Sequence, residues 1–224
     1  QVWVVGCACA MAGIVIGSVS LTNLGINLSN ALIAASGGSS FILLILAAVG
    51  SLVLGMGMPI AATYIMLVIL IAPAMTAAGI LPVAAHMFMN FFAAMSFVTP
   101  PVAIAAYVAA GIAQCDPMRT GFIAVRLGIG AYLVPFCFCY SPGLLLIGSP
   151  AQILYAVVHA ILGIVAASMC LSGFIFRKLH AIQRVGLGMA TVGLLSSEPR
   201  YHMIGFVLAA AMTLWSWYQK RAVR

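Results

Sequence analysis

Acidic side chains are almost missing from this sequence. Its 224 residues include two Asp or Glu, Asp116 and Glu198, against nine Lys or Arg, and charged residues make up 5%. A soluble domain carries about 25%, so a water-facing globular surface is excluded. Two carboxylates in the whole chain also exclude paired-acid catalysis and a proton relay built from acids, and no enzyme is expected. The apolar–polar alternation of a membrane barrel strand, sustained over roughly ten residues, does not occur. The positive surplus would suggest nucleic acid in a soluble protein. Here the basic residues stand at the ends of apolar runs and read as topology determinants, so no nucleic-acid partner is expected.

What is abundant is hydrocarbon. Hydrophobic residues reach 65% and the mean hydropathy is +1.25, which predicts a polytopic all-α membrane protein. Six cysteines (7, 9, 115, 137, 139, 170) lie in or beside apolar runs and are expected as small buried apolar residues. The chain opens on Gln1 inside an apolar run. A fragment is therefore expected, or a protein whose N-terminal part is not represented.

Five segments follow in order. Residues 1–40 hold an apolar span, Val2 to Leu21, and a more polar stretch read as an interfacial arm helix near Leu24–Ala35. Residues 41–78 hold an apolar run from Phe41 to Leu54, too short at ~21 Å for a ~30 Å crossing. The Gly55-Met56-Gly57-Met58-Pro59 break comes next, then a helix expected over Ile60–Ala78. This pattern suits a re-entrant hairpin, and a kinked single span suits it almost as well. Residues 83–114 form one long apolar stretch with Thr99-Pro100-Pro101 in its middle. Residues 115–176 hold an interfacial helix opened by Asp116-Pro117, with Arg119 and Arg126 expected at headgroups, and two membrane helices. Residues 177–224 hold a basic loop and a helical hairpin. Placing 115–126, 177–184 and 219–224 in the cytoplasm collects eight of the nine Lys and Arg there and leaves Arg200 outside.

The 83–114 stretch carries the chemistry. Two consecutive prolines remove two backbone donors and clash with the preceding turn, so no continuous helix passes through. In hydrocarbon the freed carbonyls need partners or a wet cavity, and such breaks at membrane depth house ions and substrates. Sodium, a hard cation, wants oxygen ligands. The break offers them from Ser96, Thr99, Pro100 and the freed carbonyls, and Gly57 offers close backbone approach. Helix N-termini after Pro59 and after Pro101 would turn positive ends toward an anion. The candidate substrate and ion site is thus Gly55, Met56, Gly57, Met58, Pro59, Thr63, Asn90, Ser96, Thr99, Pro100, Pro101 and Val102, with Gly57, Ser96, Thr99 and Pro100 as sodium ligands. A lone amide in an apolar helix, such as Asn90, is usually interhelical glue, and His86 reads as an interfacial residue.

An ordered set of motifs also resembles a known family. These are Gly55–Pro59, Ala72-Pro73-Ala74, Pro82–His86, Thr99-Pro100-Pro101-Val102-Ala103, Gly111-Ile112-Ala113, Asp116-Pro117-Met118-Arg119-Thr120-Gly121, Ala124-Val125-Arg126 and Leu133-Val134-Pro135-Phe136. They resemble the large membrane subunit of tripartite ATP-independent periplasmic (TRAP) transporters, most closely the fused TAXI-type permeases, over at least residues 1–150. The resemblance implies the second half of an inverted-repeat, elevator-type transporter in a bacterial or archaeal inner membrane. It implies Gly55–Thr63 as the hairpin tip and Ser96–Ala103 as the unwound break. It implies sodium-driven symport of an organic carboxylate delivered by a periplasmic binding protein. No cofactor is implied beyond the coupling ion. Further partners are membrane lipid and either a missing N-terminal half or a small membrane subunit. Ile60 and Ala61 stand where the family usually has two hydroxyl residues, which leaves Thr63 as the first hydroxyl after the tip. The alternative expectation is a truncated or non-transporting scaffold subunit, since one hairpin-plus-break occurs in these 224 residues.

Overall fold

The computed structural model describes residues 21–175, 179–196 and 199–221, together with 6, 10, 13, 14 and 17–19. The Val2–Leu21 span is described only at those scattered positions. Cys7, Cys9, Arg177, Lys178 and Arg224 lie outside the described residues. The fold is all-α. It divides into two compact units, Gln1–Val125 and Arg126–Arg224.

In the first unit, α1 (Leu24–Ser36) is followed by α2 (Ser40–Gly55), which Ser39 opens by accepting the Ile42 N–H. α2 is apolar nearly all round, and its buried residues recur every three or four positions. Leu43, Leu44, Ala47 and Ala48 consequently share one buried face. Past the glycine-rich tip come α3 (Ile60–Leu70) and α4 (Ala72–Ala77), then α5 (Pro82–Met95) and α6 (Ile104–Ala113). The core forms where α2, α3 and α4 close on α5, whose Phe88, Met89, Phe92 and Ala93 are buried. The Phe88 and Phe92 rings meet at 4.7 Å, and Ser51 Oγ reaches Met89 Sδ at 3.7 Å. α7 (Pro117–Leu127) follows, capped by Asp116, whose Oδ1 accepts the Arg119 N–H at 2.6 Å.

The single helix expected over Ile60–Ala78 is a correction. It stops at Leu70 and restarts at Ala72. Pro73 has no N–H for the Ile69 carbonyl and crowds the preceding turn. The ladder slips, and Ala74 N–H bonds Ile71 O instead of Leu70 O. Two carbonyls are freed, and α1 covers both. Ser29 Oγ donates to Leu70 O at 3.0 Å. Gly25 lies so close to Ile69 O that an added Cβ would sit 3.0 Å from it. The arm helix therefore has a buried Gly25–Ser29 face packed on a kink, and is not purely interfacial.

The second unit begins at the end of α7 and continues through α8 (Ile129–Tyr140), a short 3-10 turn (Pro142–Leu145) and α9 (Pro150–Ser172). Ser149 and Gln152 form a capping box at the start of α9. α9 is 23 residues long, about 35 Å at 1.5 Å per residue, enough to cross a bilayer. Its most apolar window is only 22% buried, as suits a helix facing lipid and not a soluble core. α10 (Ala181–Leu195) and α11 (Pro199–Arg221) form the closing hairpin. Their backbones touch where Gly193 faces Gly205: a Cβ on Gly205 would lie 2.8 Å from Leu194 N. Small residues permit that approach, the usual device of helix packing in membranes.

Candidate functional site

α5 ends at Met95 and α6 begins at Ile104, so the chain between them, Ser96–Ala103, leaves the helix. The Pro100–Pro101 peptide bond is cis. α2 likewise ends at Gly55 and α3 starts at Ile60. The α2–α3 tip and the α5–α6 break come together. Ser96 Oγ, buried, stands 3.1 Å from the Gly55 carbonyl and 2.7 Å from Ala93 O, and its single proton serves one of them at a time. A Cβ on Gly55 would lie 2.8 Å from Ser96 Oγ and 2.9 Å from Thr63 Cγ2. Gly55 is thus a glycine because Ser96 and the fully buried Thr63 occupy the space beside it. Gly57 has φ +80°, a left-handed conformation that suits glycine, and Val102 packs alongside it.

Oxygen atoms crowd this junction, and several are already engaged. Gly55 O accepts from Ser96 Oγ and from Met58 N–H; Met58 O faces Thr63 Oγ1 at 3.5 Å. Of the two carbonyls deprived of donors by the prolines, that of Phe97 is not orphaned. It accepts the Ala105 N–H at 3.0 Å, a bond that ties the two half-helices across the break. Pro101 O accepts the Tyr107 hydroxyl at 2.6 Å, so its carbonyl is likewise closed. Thr99 Oγ1 donates to Met95 O at 2.6 Å. The Gly57 and Pro100 carbonyls carry none of these bonds. A hydroxyl that donates its one proton still presents lone pairs, so the Ser96 hydroxyl retains acceptor capacity beside the Gly55 carbonyl. This set is neutral, hard and oxygen-only, the chemistry that sodium requires.

Asn90 is not at this junction's buried contacts. It stands on an exposed face of α5 and makes no hydrogen bond among the described residues. Met56, Met58, Thr99 and Pro100 are half-buried, while Pro59 and Pro101 are exposed.

The chain matches the family model described as "Tripartite ATP-independent periplasmic transporter, DctM component" over residues 2–153. This chain belongs to that family. It is a membrane permease component of a TRAP transporter. No curated protein matches it, and no solved structure does.

Several features of the permease escaped sequence reasoning. Gly121 of α7 rests on the break itself: a Cβ there would meet Pro100 Cγ at 2.9 Å and Tyr107 Cε1 at 3.5 Å. His86, expected at the membrane surface as an interfacial residue, pairs with Tyr64 across α3 and α5, the phenol oxygen 2.8 Å from Nδ1. A tyrosine in an apolar helix carries one polar atom that needs a partner, and this was the available signal for both Tyr64 and Tyr107. Arg126, expected at headgroups, turns one edge of its guanidinium onto the Leu171 and Ser172 carbonyls, partners that its position in the sequence does not announce. Cys115, expected buried, is exposed, with its sulfur 3.2 Å from Thr120 Oγ1.

In the second unit a cavity of about 150 Å³ is lined by Tyr155, His159 and His202, together with Cys137 and Tyr140. His202 Nε2 faces the Ser196 carbonyl at 2.8 Å and must carry the proton, so in the neutral ring the Tyr155 hydroxyl donates to Nδ1 at 2.9 Å. His159 stacks on both rings and gives Nδ1–H to the Tyr155 carbonyl. The Ser196 hydroxyl donates to Gly193 O. These contacts lock a folded corner; neither imidazole is set as a base against a nucleophilic hydroxyl.

Proposed function

We propose that the protein is the C-terminal part of a TAXI-type TRAP permease that imports an organic carboxylate by sodium symport. A soluble periplasmic binding protein delivers the substrate, and the permease sits in the inner membrane of a bacterium or archaeon. The observation that carries this reading is the 3.1 Å contact between Ser96 Oγ and Gly55 O, which joins two breaks that stand 41 residues apart. Interruptions with separate structural causes have no reason to meet.

In this reading Ser96 and Thr99 hydroxyls and the Gly57 and Pro100 carbonyls supply sodium ligands. The ion adds the positive charge that a carboxylate needs next to a site without Lys or Arg. The N-terminus of α6, whose cap residue Ala103 offers no side-chain acceptor, adds backbone N–H groups for the same anion. Missing acids at the site suit this chemistry, since a fixed carboxylate would repel the substrate.

The test is uptake into proteoliposomes by the complete transporter with its binding protein. Uptake should require an inward sodium gradient, and Ser96→Ala and Thr99→Ala should raise the sodium concentration for half-maximal rate several-fold. Uptake indifferent to sodium would remove the coupling. Unchanged sodium dependence in both variants would remove these residues from the ion site.

A further inference from the structure

We propose that the last turn of α9 carries a binding site for the phosphate group of an anionic phospholipid, formed by Arg126 and Arg184. The last four carbonyls of a helix have no intrahelical donor. At α9 the Gly173 N–H closes Met169 O at 3.1 Å. Arginine closes the other three. Arg184 Nε donates to Cys170 O at 3.0 Å. Arg126 donates to Leu171 O from Nε (3.3 Å) and Nη2 (2.9 Å), and to Ser172 O from Nη2 (3.0 Å). The Arg184 guanidinium also lies over Gly173, where a Cβ would be 3.5 Å from its Cζ. Two guanidinium groups are therefore held against one helical turn.

Each is pinned by one edge only. Arg126 Nη1 and both terminal nitrogens of Arg184 make none of these bonds, and both residues are exposed. A guanidinium has five N–H donors in a planar fork that matches phosphate oxygens two at a time. Anchoring one edge on carbonyls orients the other edge before any ligand arrives and lowers the ordering cost of binding.

Charge points to the same occupant. Neither arginine forms an ion pair among the described residues. One of the chain's two acids, Asp116, is engaged as the cap of α7, and the other, Glu198, lies outside the described residues. The helix C-terminus offers about half a negative charge, which leaves two full positive charges largely uncompensated. α9 is long enough to put this turn at headgroup level. The positive-inside rule gives it to the cytoplasmic leaflet, where phospholipid phosphate is the concentrated anion.

The experiment is native mass spectrometry of the purified full chain, titrated with phosphatidylglycerol or phosphatidylcholine, with and without millimolar inorganic phosphate. Phosphatidylglycerol should be retained in preference to phosphatidylcholine and should survive the phosphate. At roughly 1 kcal/mol per basic residue, the double variant Arg126→Gln, Arg184→Gln should lose about 30-fold in retention. Equal retention of the two lipids, or an unchanged double variant, overturns the site. Displacement by inorganic phosphate makes it a free-phosphate site and overturns the lipid assignment. Should the glutamine variants fail to fold, Arg126→Lys with Arg184→Lys keeps the charge and removes the fork. Reduced phosphatidylglycerol retention by that pair then supports the site, and full retention refutes it.

Discussion

Gly55→Ala is the most informative single substitution in this chain. The added methyl would lie 2.8 Å from Ser96 Oγ, 2.9 Å from Ser96 Cβ and 2.9 Å from Thr63 Cγ2. Carbon–carbon contacts are optimal near 3.5–4.0 Å, so each neighbour must retreat by more than half an ångström. Neither can swing away, because Ser96 and Thr63 are short, buried side chains fixed by helices. Overpacking of this kind costs about 1–3 kcal/mol. If that energy holds the tip away from the break, the closed junction falls roughly 5- to 150-fold in population. Two glycines calibrate the result. A Cβ on Gly50 meets only Ile71 Cδ1 at 3.6 Å, an ordinary contact, so Gly50→Ala should be neutral or stabilising by about 0.5–1 kcal/mol through helix propensity. A Cβ on Gly57 meets Val102 Cγ1 only at 3.9 Å, an ordinary contact, but φ is +80°, so Gly57→Ala should be strained by about 1–2 kcal/mol with no clash. The assays are thermal unfolding in detergent and sodium-driven uptake by the complete transporter. Gly55→Ala should lower both, uptake more steeply. Wild-type unfolding and uptake in Gly55→Ala would refute the packed junction between tip and break.

Three smaller tests address other links. Ser29→Ala leaves the buried Leu70 carbonyl without its donor and should destabilise by about 1–3 kcal/mol in thermal unfolding; no change would show that α1 does not close the Pro73 kink. Asp116→Ala should cost about 0.5–2 kcal/mol by removing the α7 cap, while Asp116→Asn should recover most of it, and sodium dependence of uptake should be the same in both; a shift in sodium dependence would make Asp116 an ion ligand. A membrane-impermeant maleimide should modify Cys115 in everted vesicles or detergent and leave Cys137 intact, since the first is exposed and the second buried, as peptide mapping by mass spectrometry would report.

The helical membrane class was legible from composition alone, because 65% hydrophobic residues with 5% charge leave a chain no other way to hide its backbone. The start of α7 was legible because Asp116 before Pro117 is a cap signal, while the Ser39 and Ser149 caps sit in stretches that read only as turns. The split at Ile71 was missed although Pro73 was in view. Proline is tolerated in the first turn of a helix and breaks the interior, and periodicity does not say which position it holds. The hydrogen-bond partners of Arg126 and His86 were not legible for a related reason. A long polar side chain at the end of an apolar run can reach water or a neighbour's carbonyl, and only the packing of Leu171 against α7's end, or of Tyr64 against α5, decides between them.

The junction itself was legible as two interruptions and illegible as a contact. Proline dictates that carbonyls are freed; it does not dictate what receives them. This chain answers the question in two ways. At Pro73 the freed oxygens are sealed, one by Ser29 and one by the close approach of Gly25, and the kink becomes ordinary core. At Pro100 and Pro101 the closure is partial. Ala105 N–H takes Phe97 O and Tyr107 takes Pro101 O. Ser96, however, reaches across to the Gly55 carbonyl of the glycine-rich tip, while Thr99 donates back to Met95 O in its own preceding turn. Sealing wants donors from neighbouring helices, whereas a cation wants oxygens left over. Ser29 closes a carbonyl that has no other use, whereas Ser96 meets one across two broken helices; on the proposed reading that difference separates a structural kink from a transport site.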